Sequence, residues 1–171
     1  SKEKLYFLNN ECHEIEYAFI NDIDILHIIK ECNGLFNDFG LLNNHKGSHK
    51  TIIGDAFIQM QHLIEKGISF DIVVIDPPSF AKSKKETAIA KKKYKQLATL
   101  GEQLTAKKGI LVLASCSSRV TSDDFFTINR TTLDNQKRSY TTIKQTYHDI
   151  DHPVSFQEGA YLKCGYYKFN R

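Results

Sequence analysis

The hydrophobic positions of the chain fall into short β-branched runs that alternate with helical repeats. The clearest run is Phe70–Ile75, which is apolar at every position except Asp71 and stops abruptly at Asp76. A short run that is apolar on both faces is typical of a central strand in a parallel sheet covered by helices. Pro77 and Pro78 cannot extend it, because proline has no N–H for the ladder and a fixed φ. The pattern therefore places a carboxylate at the carboxyl end of a buried strand, where open α/β sheets bind their ligands.

The other apolar segments predict the remaining elements, and their order predicts the fold class. Apolar spacing of three and four residues indicates helices over 25–36, 57–64 and 94–104, and a capping pattern at Thr121–Asp124 begins another. We expect the basic segment Ser83–Lys93 to be mobile in part. Alternating strands and helices favour an α/β, mostly parallel doubly wound sheet whose last two strands form an antiparallel pair. The predicted strands cover residues 4–8, 17–20, 51–53, 70–76, 110–114, 141–147 and 161–169.

Length and composition point to one globular domain, which we assign to residues 1–171. The chain of 171 residues is long enough to bury a sizeable core, and its 41% hydrophobic content is ordinary. No apolar stretch approaches the roughly 20 residues that span a bilayer, and no secretory signal is visible. The four cysteines are widely spaced without a C-x-x-C pair, so they indicate neither a zinc site nor a disulfide framework. A reducing intracellular compartment, most simply the cytoplasm, is therefore expected.

The formal charge of +3 is small, but the basic residues are unevenly distributed. Seven lysines and one glutamate lie between Lys82 and Lys95. Such a local cluster fits a polyanionic partner. On charge alone, a solvated helix face explains the same residues equally well.

Three acidic positions follow consecutive predicted strands: Asp22 or Asp24, then Asp55, then Asp76. Parallel strands point the same way, so these carboxylates are expected at one edge of the sheet. An acid after the second strand can hold a ribose diol, as in dinucleotide folds. Each aspartate alone is more simply a helix N-cap or a turn former. The three together make the ligand-binding interpretation about as strong.

Cys116 ends the apolar strand that follows the one bearing Asp76, so a thiol and a carboxylate can be neighbours. Most cysteines of this kind are buried and inert. The polar turn Ser115–Ser118 makes that interpretation less satisfactory here. Cys12, Cys32 and Cys164 occupy apolar or loop settings, and we interpret them as structural.

These segments together resemble the class I S-adenosylmethionine-dependent methyltransferases. More narrowly, they resemble the ribosomal RNA large-subunit cytosine-C5 methyltransferase family. The resemblance covers residues 50–171 well and residues 17–49 loosely. The pattern D-P-P alone is weakly specific, whereas the ordered set of motifs is strong. The motifs are D-P-P-x-F at Asp76–Phe80, S-C-S at Ser115–Ser117, D-H-P-V at Asp151–Val154, Glu158, Y-L-K at Tyr161–Lys163 and the strand-end acid of Gly54–Phe57.

The resemblance implies a Rossmann-like fold, S-adenosylmethionine as cofactor and a covalent mechanism. A Cys116 thiolate would add to C6 of cytosine, and C5 would then take the methyl group. Asp76 would bind the N3/N4 edge and stabilise the charge that develops in the ring. The target base would have to leave its stack to reach the thiol. Release of 5-methylcytosine would follow loss of the C5 proton and elimination of the thiol.

The resemblance also assigns binding residues by position. The RNA side would comprise Pro78 in the base pocket, Phe80 as a stacking ring, and phosphate contacts from Lys82, Lys84 and Lys85. The cofactor side would comprise Asp22, Asp24, Asp55, Ala56, Asp76 and Pro77. We expect RNA, most simply ribosomal RNA, as partner, with no membrane and no metal, and a homodimer stays open.

The chain departs from the family pattern near its start. The family has a glycine-rich cofactor turn after its first strand, and here the corresponding stretch, Leu8–Glu14, has no glycine. The family's N-terminal RNA-binding domain and linking β-hairpin are not visible either. The chain is thus a shortened or divergent member, or parts of the protein are absent from this sequence, and its own activity is in question.

Three other functions compete with an RNA cytosine-C5 methyltransferase. A catalytically inactive, methyltransferase-like RNA-binding or assembly module is favoured by the altered first loop and opposed by Asp76 and Cys116. A methyltransferase of base amino groups uses D-P-P followed directly by an aromatic residue, but Ser79 intervenes here. A small-molecule methyltransferase leaves the S-C-S motif unexplained.

Overall fold

The computed structural model describes residues 4–9, 14–17, 19–20, 52–81, 83–148, 154 and 159–170. Six of the described strands form one sheet in the order β2-β1-β5-β6-β8-β7, and β3 pairs with β4 separately. The predicted helix over 25–36 lies outside the described residues. The strands are β1 (Lys4–Asn9), β2 (Glu14–Tyr17), β3 (Phe19–Ile20), β4 (Ile52–Ile53), β5 (Phe70–Asp76), β6 (Thr105–Ser115), β7 (Tyr140–Thr146) and β8 (Lys163–Phe169). The described helices are α1 (Ala56–Glu65), α2 (Thr87–Leu104) and α3 (Ser122–Asn135), with a short 3₁₀ turn at Lys84–Glu86.

The strand directions confirm the predicted Rossmann-like α/β class with its antiparallel C-terminal pair. Strand β5 runs parallel to β6, and β8 lies antiparallel between β6 and β7. Strands β3 and β4 are parallel to each other. The position of β8 is possible because no helix separates it from β7 in the described chain, so an antiparallel pairing closes the edge.

The N-terminal hairpin corrects one expectation. Strand β1 runs antiparallel to both β2 and β5, so that Lys4 lies opposite Asp76 and Leu8 opposite Ile72. The end of β1 at Asn9 and the start of β2 at Glu14 therefore lie at the sheet edge opposite Asp76. The stretch Leu8–Glu14 was expected to replace the glycine-rich cofactor turn, but its described ends are at the wrong end of the strand for that. The lack of glycine in this stretch is consequently not evidence against a cofactor site beside Asp76.

The core lies between one face of the sheet and helices α1–α3. Val73 and Ile75 of β5 are buried on this face, as the alternation of a pleated strand requires, and Phe70 is buried at the start of the strand. Helix α2 packs closely because Gly101 leaves room: a Cβ there would lie 2.7 Å from the Cδ1 atoms of Ile75 and Leu111. The close packing of β5 against α2 holds the carboxyl end of this strand, which bears Asp76, in a defined position.

Helix α2 begins earlier than its hydrophobic pattern predicted. Ser83 and Glu86 form a capping box in which the Ser83 N–H donates to the Glu86 carboxylate at 2.9 Å. The helix then runs from Thr87, so most of the segment that was expected to be mobile is helical. The lysines in this part hid the signal, because few apolar residues mark the face that packs.

The end of α2 is held by Arg138, which lies between α3 and β7. Its guanidinium donates to the backbone carbonyls of Glu102 at 2.7 Å and Thr105 at 2.9 Å, and to the Glu102 carboxylate at 3.0 Å. A second guanidinium nitrogen donates to the Ala106 carbonyl at 3.1 Å. Since the last carbonyls of a helix lack partners within it, this arginine acts as a C-terminal cap.

Candidate active site

The loop after β5 presents the predicted acid at the carboxyl edge of the sheet. Asp76 is the last residue of the strand and its side chain is exposed. Pro77 is buried behind it, whereas Pro78 and Phe80 are half-buried. The Ser79 hydroxyl donates to the Ala81 carbonyl at 3.2 Å and closes the turn. The two prolines keep this segment out of the ladder, so the carboxylate stays accessible.

The loop after β6 is held by a buried pair of hydroxyl groups. The Tyr94 hydroxyl on α2 and the Ser115 Oγ lie 2.8 Å apart, and both residues are buried. Ser115 Oγ also accepts the Ser117 N–H at 3.3 Å. One serine side chain therefore links the end of the strand to the helix above it and to the turn beyond it.

Cys116 lies between Ser115 and Ser117, and its thiol connects the S-C-S segment to the D-P-P segment. Its Sγ donates a weak hydrogen bond to the Pro77 carbonyl at 3.8 Å, across 39 residues of sequence. The side chain is half-buried and the thiol is free. The expectation that parallel neighbouring strands would bring the D-P-P and S-C-S segments together is thus met in the geometry, because β5 and β6 are adjacent and parallel.

The electrostatic surroundings of this thiol are mixed. Burial and the nearby Asp76 carboxylate raise the pKa of Cys116, since both disfavour the thiolate. The Lys163 ammonium acts in the opposite direction. Burial also raises the pKa of Tyr94 to about 12, so its hydroxyl stays protonated and can donate near neutral pH. A protonated resting thiol follows from these surroundings.

Sequence reasoning missed Lys163, which is buried under the Cys116 loop. Its Nζ donates to the carbonyls of Ser117, Val120 at 2.6 Å and Tyr161 at 3.0 Å. The side chain is 1% exposed. The lysine of the Y-L-K motif was noted as part of a pattern, but no role followed from it. The available signal was its place at an inward position of the alternating closing strand.

A row of aromatic rings runs from the Asp76 loop into the core. The ring centroids of Phe80 and Tyr94 are 5.2 Å apart, and those of Tyr94 and Phe125 are also 5.2 Å apart. Phe57 extends the row at 6.4 Å from Phe80. The Lys93 ammonium lies 4.7 Å from the Phe80 centroid, within cation–π range. Phe80 therefore sits at the border between the core and a cationic surface.

The basic cluster forms a real surface near this border. Lys84 and Lys85 are exposed on the 3₁₀ turn, and Lys92 is exposed on α2. Lys91 instead forms an exposed ion pair with Asp124 of α3 at 2.9 Å. Lys82, which was assigned to RNA with its neighbours, lies outside the described residues.

The predicted cofactor residues are only partly described. Asp55 is the N-cap of α1, where its carboxylate accepts the Ile58 N–H at 3.1 Å. This is the structural role that the sequence left open for each strand-end aspartate. Ala56 is buried. Asp22 and Asp24 lie outside the described residues, as do Asp151–Pro153 and Glu158 of the C-terminal motifs.

The part of the chain that the structure describes contains neither a metal-binding cluster nor a membrane-spanning helix. No group of three or more His, Cys, Asp or Glu side chains there is arranged to hold a metal ion. Within the same residues, no helix is both long and apolar enough to cross a membrane.

The relatives of this chain among curated proteins include ribosomal RNA large subunit methyltransferases. The chain is 33% identical over 127 residues to a ribosomal RNA large subunit methyltransferase of Deinococcus radiodurans, covering 74% of this chain and 31% of the relative. It is 33% identical over 126 residues to ribosomal RNA large subunit methyltransferase I of Shewanella denitrificans, covering 72% and 31%. The chain thus spans about a third of the length of these curated relatives. No protein-family model matches it.

Solved structures support the fold. SMU.776, a methyltransferase candidate crystallised with SAH, superposes with a TM-score of 0.62 at 22% identity, covering 75% of this chain and 34% of that one. A methyltransferase homologue from Pyrococcus horikoshii gives a TM-score of 0.58 at 16% identity, covering 89% and 52%. These similarities show that the chain has the Rossmann-like methyltransferase fold.

Proposed function

We propose that this chain is a catalytic domain, spanning residues 1–171, of an S-adenosylmethionine-dependent methyltransferase that modifies C5 of a cytosine in ribosomal RNA. The observation that carries the proposal is the Cys116 thiol 3.8 Å from the Pro77 carbonyl, beside the Asp76 carboxylate. The thiol and the acid lie at the carboxyl ends of two adjacent parallel strands, which is the edge where an open α/β sheet binds its ligand. The fold and the named relatives support the same class of reaction.

The described residues fit the cofactor at this edge. Asp76 offers an exposed carboxylate, and Pro77 keeps a backbone carbonyl in the loop near the thiol. A carboxylate and a carbonyl suit the ammonium and hydroxyl donors of S-adenosylmethionine. Asp55 and Ala56 belong to the same proposed site at the start of α1, where the Asp55 carboxylate still has acceptor capacity beyond its cap bond. When bound, the cofactor supplies the methyl group.

Cys116 is the proposed nucleophile. Its thiolate would form a bond to C6 of cytosine and move electron density to C5, so that C5 could displace the methyl group from the sulfonium sulfur of the cofactor. The C5 proton would then pass to solvent water, the C6–S bond would break, and the thiolate would be regenerated. Each bond made to the protein is thus broken again within one turnover.

Asp76 has two effects in this scheme. Its carboxylate accepts from the exocyclic N4–H₂ of the base and stabilises the polarised ring. The same carboxylate raises the pKa of Cys116 in the free protein. Because a hydrogen bond from the base offsets the carboxylate charge, substrate binding lowers the barrier to thiolate formation. The nucleophile is therefore activated when the correct base is in place.

RNA is bound by the basic surface next to the site. Lys84 and Lys85 are proposed to contact phosphates, and Phe80 to stack on an unpaired base near Pro78. Lys93 currently lies over the Phe80 ring, so a stacking base would displace it towards the phosphate backbone. A ring that is half-buried against Tyr94 provides a rigid platform for such stacking.

The test uses two matched cysteine variants. Cys116 and Cys164 are both half-buried free cysteines; Cys116 directly follows β6, and Cys164 lies on the neighbouring strand β8. Cys116→Ala should abolish methyl transfer to ribosomal RNA with retention of the fold, whereas Cys164→Ala should retain most of the activity. Transfer is measured as tritium incorporated from labelled S-adenosylmethionine, and the product nucleoside is identified by mass spectrometry. Turnover by Cys116→Ala at the wild-type rate would contradict the covalent mechanism.

An inactive RNA-binding module is the second candidate. Its main support was the altered stretch after the first strand, and the end of that strand lies at the opposite edge of the sheet from Asp76. Calorimetric titration with S-adenosylmethionine separates the two candidates. Saturable binding that Asp76→Asn weakens supports the enzyme. RNA binding without any cofactor binding supports the module.

A further inference from the structure

The Lys163 ammonium is buried directly below the loop that carries Cys116. The residue begins β8, and its Cα pairs with that of Ser115 in the antiparallel ladder with β6. Its side chain is 1% exposed. Lysine is rarely buried to this extent, because an ammonium group loses its hydration and must find acceptors. Burying Lys163 therefore costs free energy, and its hydrogen-bond acceptors indicate the role of the buried charge.

All three acceptors are backbone carbonyls. Nζ donates to Ser117, to Val120 at 2.6 Å and to Tyr161 at 3.0 Å, which uses the three N–H groups of the ammonium. No carboxylate pairs with Lys163 among the described residues. The carbonyls orient the group without neutralising it, so a full positive charge remains under the loop.

The acceptors bracket the turn that follows the candidate nucleophile. Ser117 directly follows Cys116, and Val120 closes the same loop before α3 begins. A single group thus holds both ends of the loop from below, while the Tyr94–Ser115 hydroxyl pair holds its start from the helix side. Tyr94 supplies no charge, so the two braces differ in a way that an experiment can separate.

We propose that Lys163 is a positioning residue for Cys116: its ammonium fixes the 116–120 loop and provides the positive charge that favours the thiolate. The inference rests on the function proposed above, because it gives Cys116 a role as nucleophile. It goes further by naming the group that opposes Asp76. The site then contains two fixed charges of opposite sign, one on each side of the thiol.

The charged and titratable groups around the thiol define the expected pH dependence. They are Asp76 from β5, Tyr94 from α2 and Lys163 from β8. Burial lowers the pKa of Lys163 to about 8, with Cys116 opposing the change. The lysine is therefore mostly charged near pH 7 and loses its charge as the pH rises through 8. Its effect on Cys116 should be largest below that pH and fade above it.

The experiment measures alkylation of each cysteine by iodoacetamide in the complete chain, resolved by mass spectrometry, from about pH 6.5 to pH 9.5. Lys163→Met should slow alkylation of Cys116 about threefold near pH 7. The estimate follows from tenfold less thiolate per pKa unit, partly offset by the greater nucleophilicity of a more basic thiolate. The gap should close above pH 9. Cys164 serves as an internal reference, whose rate should change less.

Lys163→Arg provides a test that does not depend on Lys163→Met folding. Arginine keeps its charge at every pH in the range. The arginine variant should match wild type near neutral pH and exceed it above pH 8, where the lysine has lost its proton. Identical profiles for Lys163→Arg and wild type above pH 8 would overturn the electrostatic role.

Tyr94→Phe separates charge from bracing. It removes the hydroxyl brace but no charge. If Lys163 had a purely structural role, Tyr94→Phe and Lys163→Met would slow the alkylation of Cys116 equally, and the slowing would not depend on pH. That result would refute the proposal. None of these measurements uses RNA or cofactor, so a failure to methylate RNA would count against the proposed function while the alkylation profiles still decide the role of Lys163.

Discussion

Cys116 shows how single residues set the chemistry of this molecule. Its thiol donates to the Pro77 carbonyl in the loop after β5. The Asp76 carboxylate disfavours the thiolate, and the Lys163 ammonium favours it. Burial and the carboxylate dominate, so the pKa of the thiol is raised. At neutral pH the thiol is consequently a poor nucleophile until one of its neighbours changes.

Asp76→Asn should have opposite effects on reactivity and catalysis. Removing the carboxylate charge lowers the pKa of Cys116, so alkylation of this thiol near neutral pH should become about threefold faster. Methyl transfer should fall by at least about a hundredfold, because the base loses its charged hydrogen-bond acceptor. The two rates are measured on the same preparation by iodoacetamide labelling and by tritium transfer.

A matched control is Asp123→Asn, which changes an exposed aspartate at the start of α3. It should leave both rates close to wild type. If Asp76→Asn weakened RNA binding but preserved turnover per bound complex, Asp76 would be a binding residue only.

Tyr94→Phe should reduce stability and change its dependence on pH. Loss of the buried hydroxyl pair with Ser115 should lower the unfolding free energy by about 1 kcal/mol near neutral pH. The tyrosine has a pKa near 10 when unfolded and about 12 when folded, so the unfolded chain binds fewer protons between these values. Stability from this group is thus present below pH 10 and is lost as the pH rises towards 12. Urea titrations of both proteins should show the wild-type advantage shrinking over this range.

At the residue scale, the sequence identified the groups that end strands but not those that support them. Asp76 and Cys116 were predicted because a strand end is visible in a hydrophobic pattern, and adjacency of parallel strands then brings the two together. Lys163 could not be predicted in the same way. A buried lysine looks like any lysine in a sequence, and its acceptors are backbone carbonyls that no side-chain pattern reveals.

At the element scale, α2 determines the shape of the site. It carries Tyr94 above the Cys116 loop, approaches β5 and β6 through Gly101, and is capped by Arg138. Its apolar repeat predicted the second half of the helix correctly. Its first turns were missed because capping by Ser83 and Glu86, rather than burial, starts the helix.

Arg138→Met should destabilise the protein by about 3 kcal/mol, because the buried Glu102 carboxylate would lose its partner. The carbonyl of Glu102 in the last turn of α2, and those of Thr105 and Ala106 at the start of β6, would also lose their donor. Thermal unfolding followed by circular dichroism measures the change. Arg130→Met, which removes an exposed arginine from α3, is the control and should change stability by less than about 0.5 kcal/mol. Equal effects of the two variants would show that the cap contributes little.

At the scale of the whole molecule, the net charge is small but the positive charges are unevenly distributed. The net charge is only +3, yet the helix and turn that border the candidate site carry most of the clustered lysines. The fold class and the closing antiparallel pair were predictable from the order of elements. The reversed first strand was not, because its direction depends on pairing with β5 and no periodicity encodes that.

Lys84→Gln with Lys85→Gln should weaken RNA binding and reduce its salt dependence. Each phosphate contact to single-stranded RNA contributes roughly 0.7 to the slope of log affinity against log salt, so the slope should fall by about 1.4. Lys144→Gln with Lys168→Gln removes the same charge from exposed positions on β7 and β8 and should have little effect. Fluorescence anisotropy at several salt concentrations measures both. An equal loss in the two variants would mean that net charge, not the surface beside the site, governs binding.

The bracing of the Cys116 loop also determines which partner must move during recognition. A turn anchored from above by Tyr94 and from below by Lys163 cannot open without breaking buried hydrogen bonds, so its amides should exchange with deuterium only when the surrounding core does. A nucleophile that cannot reach outwards leaves the reorganisation to the nucleic acid, at a cost of a few kcal/mol for each base that leaves its stack. The protein should therefore discriminate among sites by how easily the RNA distorts, favouring bulges and loops before any base is read.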